Sequence, residues 1–456
     1  FCLMYKKYLL IFSFIITTVS CGFDDNSTYF VGKILKKTND KISILKDQVV
    51  LNEVVISNDG DFTMVIDSVQ DGLYNFKHLP EFQYILLEKK DSLVLRLNAV
   101  DFDESLVFTG KGSSKNNYLI DIFLNNENEQ SFINSKLRKK PNEFSKIIDS
   151  LIQIKMLKFD NFKKLKRSNS TSNQILYNAI KLPLYSKKEA YISNVKNKNN
   201  LNEISQDFYE YRKDVGFNME ILSNFKPYLD YLILRINNES YTNIKDYSRS
   251  QLKYNLDRIN FVNDNISNPT IKSKILRYMA FEFLLQEDNL TEIDTFLNEF
   301  TKVSLDKNVN LQIKQLYSDI SSLQIEKKIP KIELIDNINN KVVSSNLVSD
   351  KPIIYVFWSY DQNSHQISLF DRIFDFLKNN YNYNFYCINI NSDKKKWKET
   401  LKYIEKNKNM KHFKTTNFEV MSKKMVLNNL NKIIVTSNKG RIITISDITK
   451  LNSLKD

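Results

Sequence analysis

The chain has 456 residues, of which 42% are hydrophobic and 26% charged, with only 8 glycines and 7 prolines. That composition excludes collagen-like, linker-dominated and disordered classes and leaves room for two to four domains with cores of their own. The formal charge of +13 arises from 66 Lys+Arg against 53 Asp+Glu. The lysines alternate with acids along every segment and no arginine-rich arm accompanies them, so the charge reads as solvated surface and no nucleic-acid partner is expected. Attraction to anionic glycans or phospholipid head groups stays open.

At the N-terminus, Met4 is followed by the basic pair Lys6 and Lys7 and an apolar run over 8–16. The run is too short to span a bilayer comfortably and has the plan of a signal peptide. It leads into Thr18, Val19, Ser20, Cys21 and Gly22, which resemble a bacterial lipobox with threonine at its first position. The resemblance implies that 1–21 is a lipoprotein signal ending in a lipidated Cys21, with acyl chains enough for stable anchoring. The acidic pair Asp24 and Asp25 resembles signals for outer-membrane sorting, so an outer-membrane lipoprotein facing the periplasm or the cell surface is expected. The three cysteines are Cys2, Cys21 and Cys387. With Cys2 removed and Cys21 acylated, one free thiol remains and no intramolecular disulfide can form.

From 27 to 112 the pattern is short apolar runs broken by polar turns, at 29–34, 49–51, 54–56, 62–66, 73–76, 84–87, 93–97 and 106–108. Asn58, Asp59, Gly60 and Asp61 between two of these runs predict a hairpin. Strands at this spacing predict an antiparallel β-sandwich. From 113 to 329 the period changes to that of helices. Ile148, Ile152, Met156 and Phe159 recur at helical spacing, as do Ile271, Ile275, Tyr278, Phe281 and Leu285. Ile293, Phe296, Leu297 and Phe300 follow Thr291 as the expected N-cap. The aromatic residues keep the helical period and so read as core faces rather than a ligand box.

Residues 330–456 alternate again: runs at 331–335 and 353–358, a helix near 364–379, a run at 385–390, a helix near 394–407, then runs at 433–435 and 442–445 around the turn Ser437, Asn438, Lys439 and Gly440. Lys351, Pro352, Ile353, Ile354, Tyr355, Val356, Phe357, Trp358 and Ser359 resemble the strand that leads into the active site of TlpA-type thiol-disulfide oxidoreductases. Trp397, Gly440 and the final hairpin also sit where that family has a tryptophan, a turn glycine and a last strand pair. The resemblance covers about 125 residues. It implies a C-terminal thioredoxin-like α/β domain (330–456), which with the patterns before it makes the expected chain α+β multidomain: an N-terminal antiparallel β-sandwich (27–112), a helical region (113–329) and that domain. The junction from Phe108 to Leu119 is also similar to that of long lipoprotein members.

The departure from the family lies in its site. Counted from Trp358, the positions of the two redox cysteines hold Gln362 and His365, and the position of the cis-proline holds Asn431. Disulfide exchange requires a thiolate and a second, resolving thiol, and neither glutamine nor imidazole replaces them, so no catalytic residue is expected. A cis bond before a non-proline residue costs roughly 3 kcal/mol, so the bond before Asn431 is expected to be trans. Cys387 lies in an apolar run and reads as a small buried hydrophobe. Asp361 reads as a capping residue, Trp397 as core with Leu401 and Ile404. His365, at a helix start, is held towards its neutral form by the helix dipole. His78 and His412 form no metal spacing with it, so neither a metal nor a cofactor is expected. The clusters 136–140 and 163–167 read as solvated helix faces, with a glycan or lipid head-group contact as the alternative.

Trp358, Tyr360, Asp361 and His365 are therefore the expected binding residues, lining a groove that takes an extended peptide of another envelope protein. The leading expectation is a membrane-anchored, redox-inactive binding or scaffold lipoprotein. The alternatives are a thiol-disulfide oxidoreductase-like enzyme with an atypical site and a glycan-binding accessory lipoprotein.

Overall fold

The computed structural model describes residues 27–454 except 48, 68, 167, 197–203, 241–250, 288 and 405. The expected signal peptide and Cys21 lie outside the described residues. The chain divides into two compact units, Phe1–Asn238 and Glu239–Asp456, so the helical stretch is shared between them.

The first unit opens with β1 (Thr28–Leu35), β2 (Lys41–Lys46), β3 (Val49–Val55), β4 (Asp61–Ile66), β5 (Gly72–His78), β6 (Glu81–Leu87), β7 (Ser92–Asn98), the single turn α1 (Phe102–Ser105) and β8 (Val107–Lys111). They form two four-stranded sheets, β4-β1-β7-β8 and β3-β2-β5-β6, which share one core that includes Phe30, Ile44, Phe76, Ile85, Leu95 and Phe108. The sandwich is not wholly antiparallel: β1 runs parallel to β7. Two sequence runs, 49–51 and 54–56, belong to the single strand β3, and β2 is an additional strand.

The turn at Asn58, Asp59 and Gly60 is real but closes no hairpin. Gly60 takes φ +88°, yet β3 pairs with β2 and β4 with β1, so the turn carries the chain from one sheet to the other. The Ile34 N–H donates to the Gly60 carbonyl at 2.8 Å, and a Cβ at Gly60 would fall 2.3 Å from the Ile34 carbonyl oxygen. Turn chemistry specifies the reversal, but which strands pair is decided by the core on either side.

Helices α2 (Ser113–Lys136), α3 (Pro141–Leu165), α4 (Ser170–Lys196) and α5 (Lys226–Glu239) follow. The start of α2 is bound tightly to the sandwich. Asn116 donates to and accepts from the Leu86 backbone at 2.9 and 2.7 Å, and Asn117 does the same with Phe108 at 2.8 and 2.9 Å. Leu86 and Phe108 lie on the edge strands of the two sheets, so adjacent amides occupy backbone groups that would otherwise be left open at both edges. Beside them, the buried Lys115 ammonium donates to Asp91 at 2.6 Å and lies 3.4 Å from Glu88. Gly112, at φ +93°, leaves room for the Asp91 carboxylate, which a Cβ there would meet at 2.5–2.7 Å.

The second unit contains α6 (Leu252–Asn265), α7 (Pro269–Leu284), α8 (Leu290–Val303) and α9 (Lys307–Ser322), then β9 (Glu333–Asp336), β10 (Lys341–Val343), β11 (Ile353–Trp358), α10 (Asn363–Asn379), β12 (Asn384–Asn389), α11 (Lys394–Leu401), β13 (Met410–Thr415), α12 (Phe418–Lys424), β14 (Lys432–Thr436) and β15 (Ile442–Asp447). The α7 core face is shifted from the expected one: Tyr278 is exposed and Leu276, Met279 and Phe283 are buried. The cap of α8 is Asn289, which accepts from the Thr291 N–H at 3.0 Å, and not Thr291 itself. The helix expected to reach 407 ends at Leu401, and β10, β13 and α12 are additional.

The seven strands form one sheet in the order β10-β9-β13-β12-β11-β14-β15. β11, β12 and β13 are parallel, and β14 and β15 add an antiparallel hairpin turned at Gly440. The six residues of β11 are all buried, as an apolar strand covered on both faces requires. Ile354, Val356 and Trp358 join the core under α10 and α11, while Ile353, Tyr355 and Phe357 join the opposite core, against which Leu285, Leu316 and Ile320 pack. This strict alternation decides which face each residue near the end of β11 reaches.

Candidate functional site

The site expected from the sequence is the turn between β11 and α10. Its residues are Trp358, Ser359, Tyr360, Asp361 and Gln362, and Gln362 stands at the N-cap of α10 without a side-chain capping bond. The Gln362 side chain is exposed, and His365 follows in the first helical turn, half-buried. Strand alternation removes Trp358 from the expected groove: it is fully buried and packs edge-on against Phe370 at 5.5 Å. This is a correction to its expected binding role, and the reason is that an even-numbered position of β11 faces the α10 side of the core.

Asp361 does not cap α10 either. Its carboxylate accepts from the Lys396 ammonium at 2.8 Å and from the Asn391 amide at 2.7 Å. The Tyr360 N–H donates to the Asn391 Oδ1 at 3.0 Å, and Lys396 lies over the Tyr360 ring at 4.4 Å. Asn391 is set by Asn389, whose amide donates to it at 3.1 Å, and Lys396 by Asp393, which caps α11 through the Lys395 and Lys396 N–H groups. The turn after β11 is thus laced to the turn after β12. Asn389, Asn391 and Lys396 were not singled out by sequence reasoning. The available signal was the pair of asparagines two apart between an apolar strand and the Asp393 cap.

On the other side of the turn, His365 lies against the loop before β14. Burial lowers the imidazole pKa below its ordinary value, opposed by the Asn431 side chain and the Leu430 backbone. Both ring nitrogens are shielded from solvent, and neither reaches full hydrogen-bonding geometry with a partner. The fold therefore brings His365 and Asn431 together. The bond before Asn431 is trans; among the described residues the one cis peptide is Leu79–Pro80.

Cys387, the one described cysteine, is wholly buried in the core under α10, and burial pushes its thiol well above the usual range. His412, on β13 next to Cys387 in the strand register, has its pKa lowered to about 4 by burial. His78 is a satisfied core histidine: its Nε2 accepts from the Thr38 N–H at 3.1 Å and its Nδ1 lies 3.2 Å from the Lys41 carbonyl. Among the described residues no group of three or more His, Cys, Asp or Glu side chains is arranged to hold a metal. No described helix is long and apolar enough to cross a membrane. Two clefts of about 470 and 580 Å³ lie in the second unit, one between α8 and α9 and one among α7, α9 and the segment from α12 to Asn428. The expected binding residues Trp358, Tyr360, Asp361 and His365 line neither.

No protein-family model matches the chain, and no curated protein matches it. Solved structures do. The thioredoxin domain of a thiol-disulfide oxidoreductase from Bacteroides vulgatus is 15% identical, matched over 27% of this chain and 89% of its own, with a TM-score of 0.21. A thiol:disulfide interchange protein from a Bacteroides species is 15% identical over 29% of this chain and 89% of its own, with a TM-score of 0.22. A protein of unknown function from Bacteroides fragilis is 12% identical over 28% and 97%, with a TM-score of 0.25. These likenesses concern less than a third of the chain. The thioredoxin-like architecture of the second unit rests on its own strand order and connections, a parallel β-α-β unit extended by an antiparallel hairpin with helices on both faces.

Proposed function

We propose that this chain is a membrane-anchored lipoprotein of the TlpA type whose thioredoxin-like domain carries no redox couple and serves as a binding or scaffold module for a protein or peptide of the cell envelope. One observation carries the reading. The turn that opens α10, where a thioredoxin-like oxidoreductase needs an attacking thiolate and a resolving thiol, presents Gln362 and His365, opposite Asn431. Cys387 does not substitute, because a buried thiol held in its protonated form is neither nucleophilic nor accessible.

What remains at the turn is a surface for recognition. Tyr360, Asp361 and Gln362 stand at its rim and offer an aromatic face, a carboxylate and an amide to an incoming segment, with the half-buried His365 beneath them. The lacing of Asp361 to Asn391 and Lys396 holds that rim in one arrangement, which lowers the ordering cost of binding. Cys21 as the lipid anchor, and an outer-membrane location facing the periplasm or the cell surface, belong to the same proposal.

The test is an affinity pull-down from cross-linked envelopes with the intact chain and with Tyr360→Ala and His365→Ala variants, run beside an insulin-reduction assay. A partner captured by the intact chain and lost from the variants, with no reductase turnover, is the expected result. Turnover that survives Cys387→Ser and vanishes in His365→Ala would replace the proposal with an enzyme of unusual chemistry.

A further inference from the structure

In the first unit, the last three turns of α3 carry a stripe that faces solvent and is both apolar and basic. Ile154, Leu157 and Leu165 are 54%, 60% and 79% exposed, and Lys158, Asn161 and Lys164 are exposed between them. The spacing 154, 157, 158, 161, 164, 165 places all six on one helix face, about 17 Å long. Lys166 continues it as the C-cap residue. Lys158, Lys164 and Lys166 have no acidic partner among the described residues, whereas Lys163 is tied to Asp160 at 2.9 Å. The opposite face of α3 is core, with Phe144, Ile148 and Phe159 buried. The exposed leucines are therefore not the inner surface of the unit.

The start of the described chain is at this same pole. Thr28 Oγ1 donates to the Glu88 carbonyl at 3.3 Å. The Glu88 carboxylate accepts from the Asn169 N–H at 3.1 Å and from Ser172 Oγ at 2.6 Å, immediately after the end of α3. Asn169 also donates to Asp71 at 2.8 Å, which accepts from the Lys89 N–H at 2.9 Å, and the buried Lys115 ammonium lies 3.4 Å from Glu88, so both acids are already engaged within the unit. From Thr28 the chain leads back over seven residues to Cys21, a reach of at most about 25 Å.

We infer that this pole, the exposed stripe of α3 ending in Lys164, Leu165 and Lys166, rests on an anionic phospholipid surface. A helix face with leucine and isoleucine interleaved with lysine inserts its apolar side chains at the head-group boundary while its ammonium groups meet the phosphates. Positive charge and the position where the anchor-bearing segment joins the unit favour a bilayer over another occupant. The second of these arguments rests on the proposed anchoring at Cys21. A lipid chain and a basic apolar patch on one pole would together fix the orientation of the unit at the membrane, which a single point of attachment does not.

The test uses the chain from Gly22 onward, unlipidated, which retains every described residue. It is sedimented with vesicles of phosphatidylcholine alone and with vesicles of equal phosphatidylcholine and phosphatidylglycerol. Binding to the anionic vesicles only, weakened by salt, is expected. Each lysine near such a surface contributes about fivefold, so the triple variant K158E/K164E/K166E should bind at least about a hundredfold more weakly. Leu157→Ser with Leu165→Ser should also weaken binding, and K139E/K140E, at the other end of α3, should not. All of the substituted side chains are exposed, and unchanged unfolding curves would show the fold intact. No vesicle binding, equal binding by the triple variant, or binding to soluble polyanions without binding to vesicles would overturn the inference. Metabolic labelling of Cys21 with an alkynyl fatty acid tests the anchor separately. A labelled chain that fails on vesicles leaves the anchor standing, and an unlabelled chain that passes leaves the surface standing.

Discussion

The α2 junction of the first unit and the α10 turn of the second both enclose polar side chains near the end of a strand, but they provide for them differently. At the junction, Lys115 is met by Asp91 and Glu88, and the Asn116 and Asn117 amides each both donate and accept. The same completeness holds at the buried Glu189, which receives Arg212 through two bonds of 2.7 Å together with Tyr211 and Asn238. Around α10, by contrast, the Trp358 indole N–H, both His365 nitrogens and His412 Nδ1 are shielded without a partner. A network in which every member is paired holds elements together. Shielded polar atoms left without partners, around a helix start with no side-chain cap, mark a place where the local fold is not optimised for stability alone.

The largest expected effect tests the first half of that contrast. Lys115→Met leaves the Asp91 carboxylate buried without its cation and should cost about 3–5 kcal/mol in urea unfolding of the first unit. Adding Asp91→Leu should recover much of the loss; if it does not, the pair contributes more than mutual compensation. Next comes His412. Because its folded pKa of about 4 lies below the ordinary 6.5, the unfolded chain takes up a proton that the folded ring refuses. Stability is therefore complete above pH 6.5 and falls as the pH drops towards 4, by about 3 kcal/mol. His412→Leu should flatten most of that window, His365 contributing a remainder of the same sign.

Two smaller effects compare a capped helix start with an uncapped one. Asp306 caps α9, accepting from the Asn308 and Val309 N–H groups at 2.9 and 3.2 Å and from Ser273 Oγ at 2.6 Å. Its pKa is held down chiefly by the Ser273 bond. Asp306→Ala should cost about 1 kcal/mol at neutral pH, a difference that shrinks as the pH falls below the ordinary carboxylate value. Gln362→Asp should do the reverse and stabilise the second unit by roughly 0.5–1 kcal/mol, since it supplies the missing cap of α10. No gain would mean that those N–H groups already have partners. Smallest of all, Asp361→Asn should leave the unfolding midpoint unchanged, because both Asp361 and Lys396 are more than half exposed and solvent screens the pair.

Much of the site was legible because it follows local rules. The span of β11 was read to the residue, since a six-residue apolar run between Pro352 and a polar turn has few other outcomes. The start of α10 was off by one residue, and the buried Cys387 and Trp397 followed from apolar periodicity. The destination of Trp358 was missed because a strand buried on both faces shows no polar alternation to reveal which face a residue takes. The partners of Asp361 were missed because Asn391 and Lys396 come from the next strand-helix turn, thirty and more positions away.

Local pattern was enough for the span of β11, the start of α10 to within one residue, the turns at Gly60 and Gly440, and the placing of Gln362 and His365 at the opening of α10; these depend on side-chain period, backbone conformation and residue identity. Long-range packing sets the rest: β1 lies parallel to β7, the Asn58–Gly60 turn joins two sheets, and His365 comes against Asn431. Each of those is a contact between residues distant in the chain, and such contacts are selected by burial of shared surface and pairing of polar groups across it, which no local pattern encodes.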